Sequence, residues 1–195
     1  MCFCFLEIVK KKILVDEIEI PSSTPRINFI SEEKIKNKKY IFLSIKYSEN
    51  YRDFKNRVNY SGEYNLINVY ECKDSCKINN ELSNYFGSGG DVFDLNNSKI
   101  VYKFPYGELK SIQDEIKSKL FNQWLNNGID RGVVLKKTNI NDIDNYTPDR
   151  IGYLVKGDIF KVKKISSRWL NITYTNKNGR ITTGWISCKD TNVCN

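Results

Sequence analysis

Histidine and alanine are both missing from this chain of 195 residues. Without an imidazole there is no Ser-His-Asp or Cys-His chemistry, and carboxylates and lysines are the acid–base groups that are left. The lack of alanine, beside abundant Lys, Asn and Ile, is what AT-rich coding sequence produces. Proline is scarce, at four residues. No apolar run approaches the roughly 20 residues that a bilayer-spanning helix needs. What is present is 40% hydrophobic and 28% charged, enough to bury a real core and inconsistent with a disordered chain. The length suits two modest domains better than one.

Charge and cysteine bound the partners and the compartment. The formal net charge is +8, from 31 Lys and Arg against 23 Asp and Glu. A balance of this sign favours anionic partners. The basic residues are nevertheless interleaved with acidic ones, with only short runs such as Lys10-Lys11-Lys12, so they read as a solvated surface and nucleic acid is disfavoured as a ligand. Six cysteines fall as three couples: Cys2 and Cys4, Cys72 and Cys76, Cys188 and Cys194. Close couples read as local disulfides, Cys72 with Cys76 and Cys188 with Cys194, in an oxidising compartment. Zinc is the rival for Cys72 and Cys76, whose spacing suits paired ligands, while Cys188 and Cys194 are too far apart. Reduced thiols in a cytosolic protein are the third reading. The segment from Met1 to Val9 is apolar but carries Glu7 and leads into three lysines, so it does not read as a standard signal peptide. The expectation is a periplasmic or secreted protein whose true start is displaced from Met1, with a cytoplasmic location as the alternative.

Residues 1–20 form an N-terminal segment, and 21–129 read as an α+β domain of no recognised family. Ile27 to Ile30, Tyr40 to Tyr47, Tyr64 to Tyr70 and Lys99 to Phe104 have strand composition. The second alternates Ile41, Leu43 and Ile45 with Tyr40, Phe42 and Ser44, which predicts a strand covered on both sides. A helix is expected from Ser111, with Asp114 three residues on and Ile112, Ile116, Leu120 and Trp124 along one face, ending at Asn127-Gly128. An antiparallel sheet with one packed helix accommodates all of these.

Residues 130–195 have a different rhythm. Val133 to Lys137, Ile151 to Lys156, Ile159 to Ile165, Trp169 to Tyr174 and Arg180 to Ser187 are five short apolar, aromatic and β-branched runs. Gly157-Asp158, Ser166-Ser167 and Asn176-Lys177-Asn178-Gly179 separate them as turns. The spacing predicts a small all-β barrel or sandwich. Ile151 to Asp158, Phe160-Lys161-Val162, Trp169 to Ile172 and Gly184-Trp185-Ile186 follow in the order and at the spacing of the bacterial SH3-like domain, which the stretch from about Arg131 to Asp190 resembles. The resemblance implies an SH3-like barrel that binds peptidoglycan peptide or a protein partner and uses no cofactor.

Other constellations read as structure before chemistry. Gly87-Ser88-Gly89-Gly90-Asp91 could cradle a phosphate, but no Lys-Ser/Thr follows, and an exposed loop is the simpler expectation. Asp91 and Asp94, and Asp142, Asp144 and Asp149, read as turn residues. Trp169 and Trp185 read first as core residues; in an SH3-type groove an aromatic holds an extended peptide. The expected contact surface lies between the Thr138 to Arg150 loop and the Asn176 to Gly179 hairpin, lined by Tyr153, Trp169 and Tyr174. The functional expectation is a non-catalytic envelope recognition protein. An immunity or inhibitor protein that blocks a secreted toxin is the alternative, and a cell-wall enzyme with an SH3-like targeting module is third.

Overall fold

The computed structural model describes residues 2–8, 11–18, 24–49, 52–53, 55, 58–144 and 150–194, with the backbone alone at 2–8, 11–18, 53, 58, 60 and 61. Mixed α and β structure is present, mostly antiparallel sheets with three helices. The residues group into two compact units, 1–110 and 111–195. That division precedes the 129/130 boundary expected from the sequence, and most of the helical segment groups with the second unit.

In the first unit, β1 (Cys2–Ile8) and β2 (Lys11–Ile18) form a separate antiparallel pair. The main sheet contains β3 (Arg26–Ile35), β4 (Lys38–Glu49), β5 (Arg52–Asp53), β6 (Val58–Cys72) and β7 (Cys76–Ile78), then, after helix α1 (Asn80–Phe86), β8 (Ser88–Asp94) and β9 (Ile100–Tyr102). Its path is β3-β4-β6-β8-β9, with β5 and β7 also on β6. Both faces of β4 are buried, as its alternation predicts. Ile41, Leu43 and Ile45 pack with Tyr70 and Ile30 on one side. On the other, Phe42 meets Phe86 of α1 edge-on, with ring centroids 5.1 Å apart, and Phe86 meets Tyr106 at 5.0 Å. Helix α1 had no clear periodic signal in the sequence. Asn79 caps it, accepting from the Leu82 amide at 2.9 Å, and its Leu82, Tyr85 and Phe86 are buried.

The glycine-rich stretch is a strand and not an exposed loop. Gly89 and Gly90 are buried in β8, and the Asp91 carboxylate accepts from the Phe104 amide at 2.8 Å. A side chain at Gly89 would sit 2.7 Å from the Phe104 ring, so the glycine is there to let that ring close on the backbone. Cys72 and Cys76, directly opposite in β6 and β7, form a disulfide.

The second unit is mainly α2 (Leu109–Lys117), α3 (Lys119–Asn127), β10 (Arg131–Val133), β11 (Thr138–Asn141), β12 (Arg150–Leu154), β13 (Ile159–Ser166), β14 (Trp169–Thr175) and β15 (Ile181–Ser187), followed by a 3-10 turn over Cys188–Asp190. The single helix expected from Ser111 is two. Ser118 leaves helical geometry, with ψ of 154°, and its hydroxyl accepts from the Phe121 amide at 3.0 Å, so it starts α3 instead of continuing α2. The expected strand Val133 to Lys137 is also divided. After β10 the chain turns onto the C-terminal segment: the Leu135 amide donates to the Asp190 carbonyl at 2.8 Å, and Lys136 pairs with the Asp190 carboxylate at 3.0 Å. The following stretch, expected to be loop as far as Arg150, begins with β11. A second disulfide joins Cys188 to Cys194.

These strands make one antiparallel sheet with the path β10-β13-β14-β15-β11-β12. The path is open among the described residues, with β10 and β12 at its ends, and not the closed barrel expected. One face is the core: Leu170, Ile172, Ile186 and Leu154 are fully buried, with Ile140 and Phe160 nearly so. Gly184 lies on that face opposite Ile172. A side chain there would come 2.5 Å from the Asn141 carbonyl and 2.6 Å from the Ile140 methyl. Trp185, its neighbour, projects to the opposite face and is only partly buried. Gly184→Ala is therefore expected to cost about 1–3 kcal/mol by overpacking. Trp185→Ala should fall short of the roughly 3–5 kcal/mol of a fully buried tryptophan. Urea midpoints of the two variants measure this, and an unperturbed Gly184→Ala protein would show that β11 and β15 do not pack as described.

Candidate binding surface

The β13–β14 hairpin turns on two residues, because Ser166 pairs directly with Trp169. Both turn residues, Ser167 and Arg168, have positive φ, 47° and 61°, although neither is glycine. Tight right-twisted hairpins require this backbone, and it is strained for a residue with a Cβ. Opposing that strain is an ion pair. The Glu115 side chain on α2 is 1% exposed, and Arg168 donates to its Oε2 through Nε at 3.0 Å and through Nη2. A buried carboxylate deprived of its cation is costly, so the pair ties the helix to the hairpin tip. Arg168→Ala should lower stability by about 2–3 kcal/mol by removing hydrogen bonds to a charged, buried group. Arg168→Gly should be milder than Arg168→Ala despite lacking the same guanidinium, because it relieves the positive φ. The reverse order in thermal or urea unfolding would show that the turn backbone is not strained.

A second tie fixes the turn between β12 and β13. Asp158 Nα donates to the Val155 carbonyl at 3.1 Å across Gly157, whose φ of 92° needs a glycine. The Asp158 carboxylate accepts from the Val155 amide at 2.8 Å through one oxygen and from the Tyr174 hydroxyl at 3.1 Å through the other. Desolvation raises the Tyr174 hydroxyl above the usual tyrosine value, and the hydrogen bond to Asp158 and its negative charge add to the rise. A proton held more tightly in the folded state stabilises the fold at neutral pH, and that contribution is lost as pH rises from about 10 through the raised value. Tyr174→Phe should remove this part of the alkaline loss; identical alkaline profiles for the variant and the parent would contradict the Asp158 bond.

The three aromatic residues expected to line one groove do not come together. Trp169 is 5% exposed, so its ring has no face to offer a ligand. Tyr174 lies five residues along the same regular strand and therefore points to the opposite face, with its hydroxyl engaged by Asp158. Tyr153 alone is open, at 61% exposed, with the Lys137 ammonium 4.6 Å from its ring centroid. The face it shares is defined by pairing: Tyr153 opposes Asn139, and two residues along β11, Asn141 opposes Trp185. Lys164 stands 6.0 Å from the Trp185 ring centroid. The accessible aromatics are thus Tyr153 and Trp185, each with a cation near its ring, an arrangement of modest attraction at exposed sites. The alternation of β14 carried the signal that Trp169 and Tyr174 face apart. Trp185, expected first as a core residue, is only partly buried, because the cross-strand register places it on the face opposite Gly184.

Exposed apolar side chains gather nearby. Leu135 and Ile143 flank β11, and Ile151, Tyr153 and Val155 lie on or beside β12, each between 43% and 61% exposed. Of the Asp residues weighed in the sequence as turn residues, Asp91 lies instead inside β8, while Asp94, Asp142 and Asp144 are turn or strand-end groups. Asp94 accepts from the Asn96 amide at 2.8 Å, while Asp142 and Asp144 follow β11; Asp149 lies outside the described residues. No group of three His, Cys, Asp or Glu among the described residues is placed to hold a metal ion. No helix among them is long and apolar enough to cross a membrane. Comparison with family models, with characterised proteins and with solved structures returns no match for this chain.

Proposed function

We propose that this is a non-catalytic recognition protein of the bacterial envelope, in which residues 111–195 bind an extended peptide of the cell wall or of a protein partner. The observation that carries this reading is Tyr153, 61% exposed on β12, with further exposed apolar side chains at Leu135, Ile143, Ile151 and Val155 on or beside β11 and β12. Tyrosine is enriched among the residues that dominate binding energy at interaction sites. The resemblance of residues 131–190 to the bacterial SH3-like domain points the same way, with Gly184 allowing close contact with β11 and Trp185 half-buried on the opposite face. Disulfides Cys72–Cys76 and Cys188–Cys194 suit an extracellular or periplasmic setting.

A second reading, inhibition of a secreted toxin, is favoured by the charge distribution. Residues 111–195 carry 14 Lys and Arg against 8 Asp and Glu, most of the excess of the whole chain. Such a surface steers toward an acidic protein.

Purified protein should sediment with isolated cell walls or be retained by an envelope protein fraction, without releasing soluble wall fragments. Tyr153→Ala should weaken that binding by about thirtyfold, the scale of a hot-spot aromatic, and leave the unfolding midpoint unchanged. Release of wall fragments that stops on replacing a single Asp or Glu would move the protein to the enzyme reading.

A further inference from the structure

We infer that the outer face of β13, β14 and β15 is a docking surface for an acidic protein, one that carries apolar side chains among its carboxylates. This rests on the recognition reading above and names the chemistry of the partner. No Asp or Glu occurs in any of the six strands of the sheet, whereas β10 and β13 carry Arg131, Lys161, Lys163 and Lys164. The described carboxylates of residues 111–195 lie on α2, in the 3-10 turn, and at Asp130, Asp142, Asp144 and Asp158 outside the strands. Charges that interleave along the chain are therefore segregated in the sheet.

Cross-strand pairing places the cations on one face. Ile172 and Gly184 oppose each other on the core side, so Asn171 with Trp185 and Thr173 with Thr183 lie on the other. Lys161 pairs with Thr173 and, past the bulge, Lys164 pairs with Asn171, so both join that outer face. From β10, Arg131 pairs with Lys161 and Val133 with Ile159. The face closes toward the hairpin tip, where Trp169 is buried, and is open from Asn171 to Thr175.

Two features of this face are unfavourable for the protein alone. Arg131 and Lys161 are exposed, stand directly opposite each other, and take part in no ion pair among the described residues; like charges so placed are destabilising. Ile159 and Ile181, at 63% and 65%, are the most exposed large apolar side chains among the described residues, and Ile181 shares the face through its pairing with Thr175. One kind of occupant relieves both. A bare polyanion answers the cations and leaves the isoleucines in water. A second copy of this face brings the same cations and no carboxylate. An acidic protein surface with apolar side chains answers both, and Trp185, with Lys164 6.0 Å from its ring centroid, offers it an aromatic anchor. Recognition is through side chains, because β14 is already paired on both sides.

The test uses the full chain, oxidised, and helical peptides of about 18 residues whose leucine stripe is flanked by glutamates or, in the control, by glutamines, with binding followed by fluorescence anisotropy. The glutamate peptide is expected to bind about tenfold more tightly, and the gap should narrow with added salt. Lys161→Glu sets a carboxylate opposite Arg131, so it should raise the unfolding midpoint and yet weaken the glutamate peptide about tenfold. Misfolding cannot produce that combination. Ile181→Thr should weaken both peptides about fivefold. Equal binding of the two peptides, binding that Lys161→Glu or Ile181→Thr leaves unchanged, tighter binding of an oligothymidylate of matched charge, or self-association of the free chain would each overturn the inference. Retention on cell walls or by envelope proteins with no preference between the peptides would overturn it and leave the broader recognition reading standing. Preference for the glutamate peptide in a chain that no wall or envelope fraction retains would support the docking surface and remove its envelope setting.

Discussion

Within residues 111–195, the carboxylate of Glu115 sets the terms for everything around it. A group with a 1% exposed side chain retains its charge at low cost only beside a cation, and Arg168 reaches it from the tip of the β13–β14 hairpin. The arginine is held there by a backbone conformation that its own Cβ disfavours. Neither feature is stable alone: the turn would prefer glycine, and the carboxylate would prefer water. Together they lock helix α2 to the hairpin that carries the central strands. Asp158 acts similarly at the other end of β13, where one carboxylate closes a glycine turn and anchors Tyr174. With both ends of β13 tied, the strand next to the β10 end of the sheet is held in place.

Much of this fold is legible in the sequence because local and global preferences agree. Tyr40 to Tyr47 alternates cleanly, and both of its faces are buried. Ile159 to Ile165, Trp169 to Tyr174 and Arg180 to Ser187 match β13, β14 and β15 closely, since turn residues bracket each one. The cysteine couples at Cys72 and Cys188 are joined as their spacing suggests. The misreadings have specific causes. Gly89 and Gly90 carry loop chemistry, yet they form strand because the Phe104 ring needs the space beside Gly89. The helical stripe from Ile112 to Trp124 runs unbroken through Ser118, whose preference for capping wins locally. Val133 to Lys137 has strand composition, but its partner is the chain segment at Asp190, more than 50 residues away, and no local pattern reports that.

The candidate surface was less legible than the fold, for a geometric reason. Aromatic residues near one another in sequence were expected to share a groove, whereas a strand sends alternate residues to opposite faces. Trp169 went to a buried site and Tyr174 to an internal hydrogen bond, leaving Tyr153. The accessible surface depends on which strand ends the sheet, and that is a property of strand order.

The central claim is that β12 ends an open sheet. Native-state amide hydrogen exchange of the free protein tests it most directly, because an open edge leaves its outward amides to solvent while its inward amides remain bonded to β11. The account predicts both fast and slow amides along Arg150 to Leu154, with the alternation interrupted at Ile151, beside fuller protection in β14, which is paired on both sides. Slow exchange at every amide of β12 would mean that its outer edge is already paired, as in a closed barrel, and would contradict it.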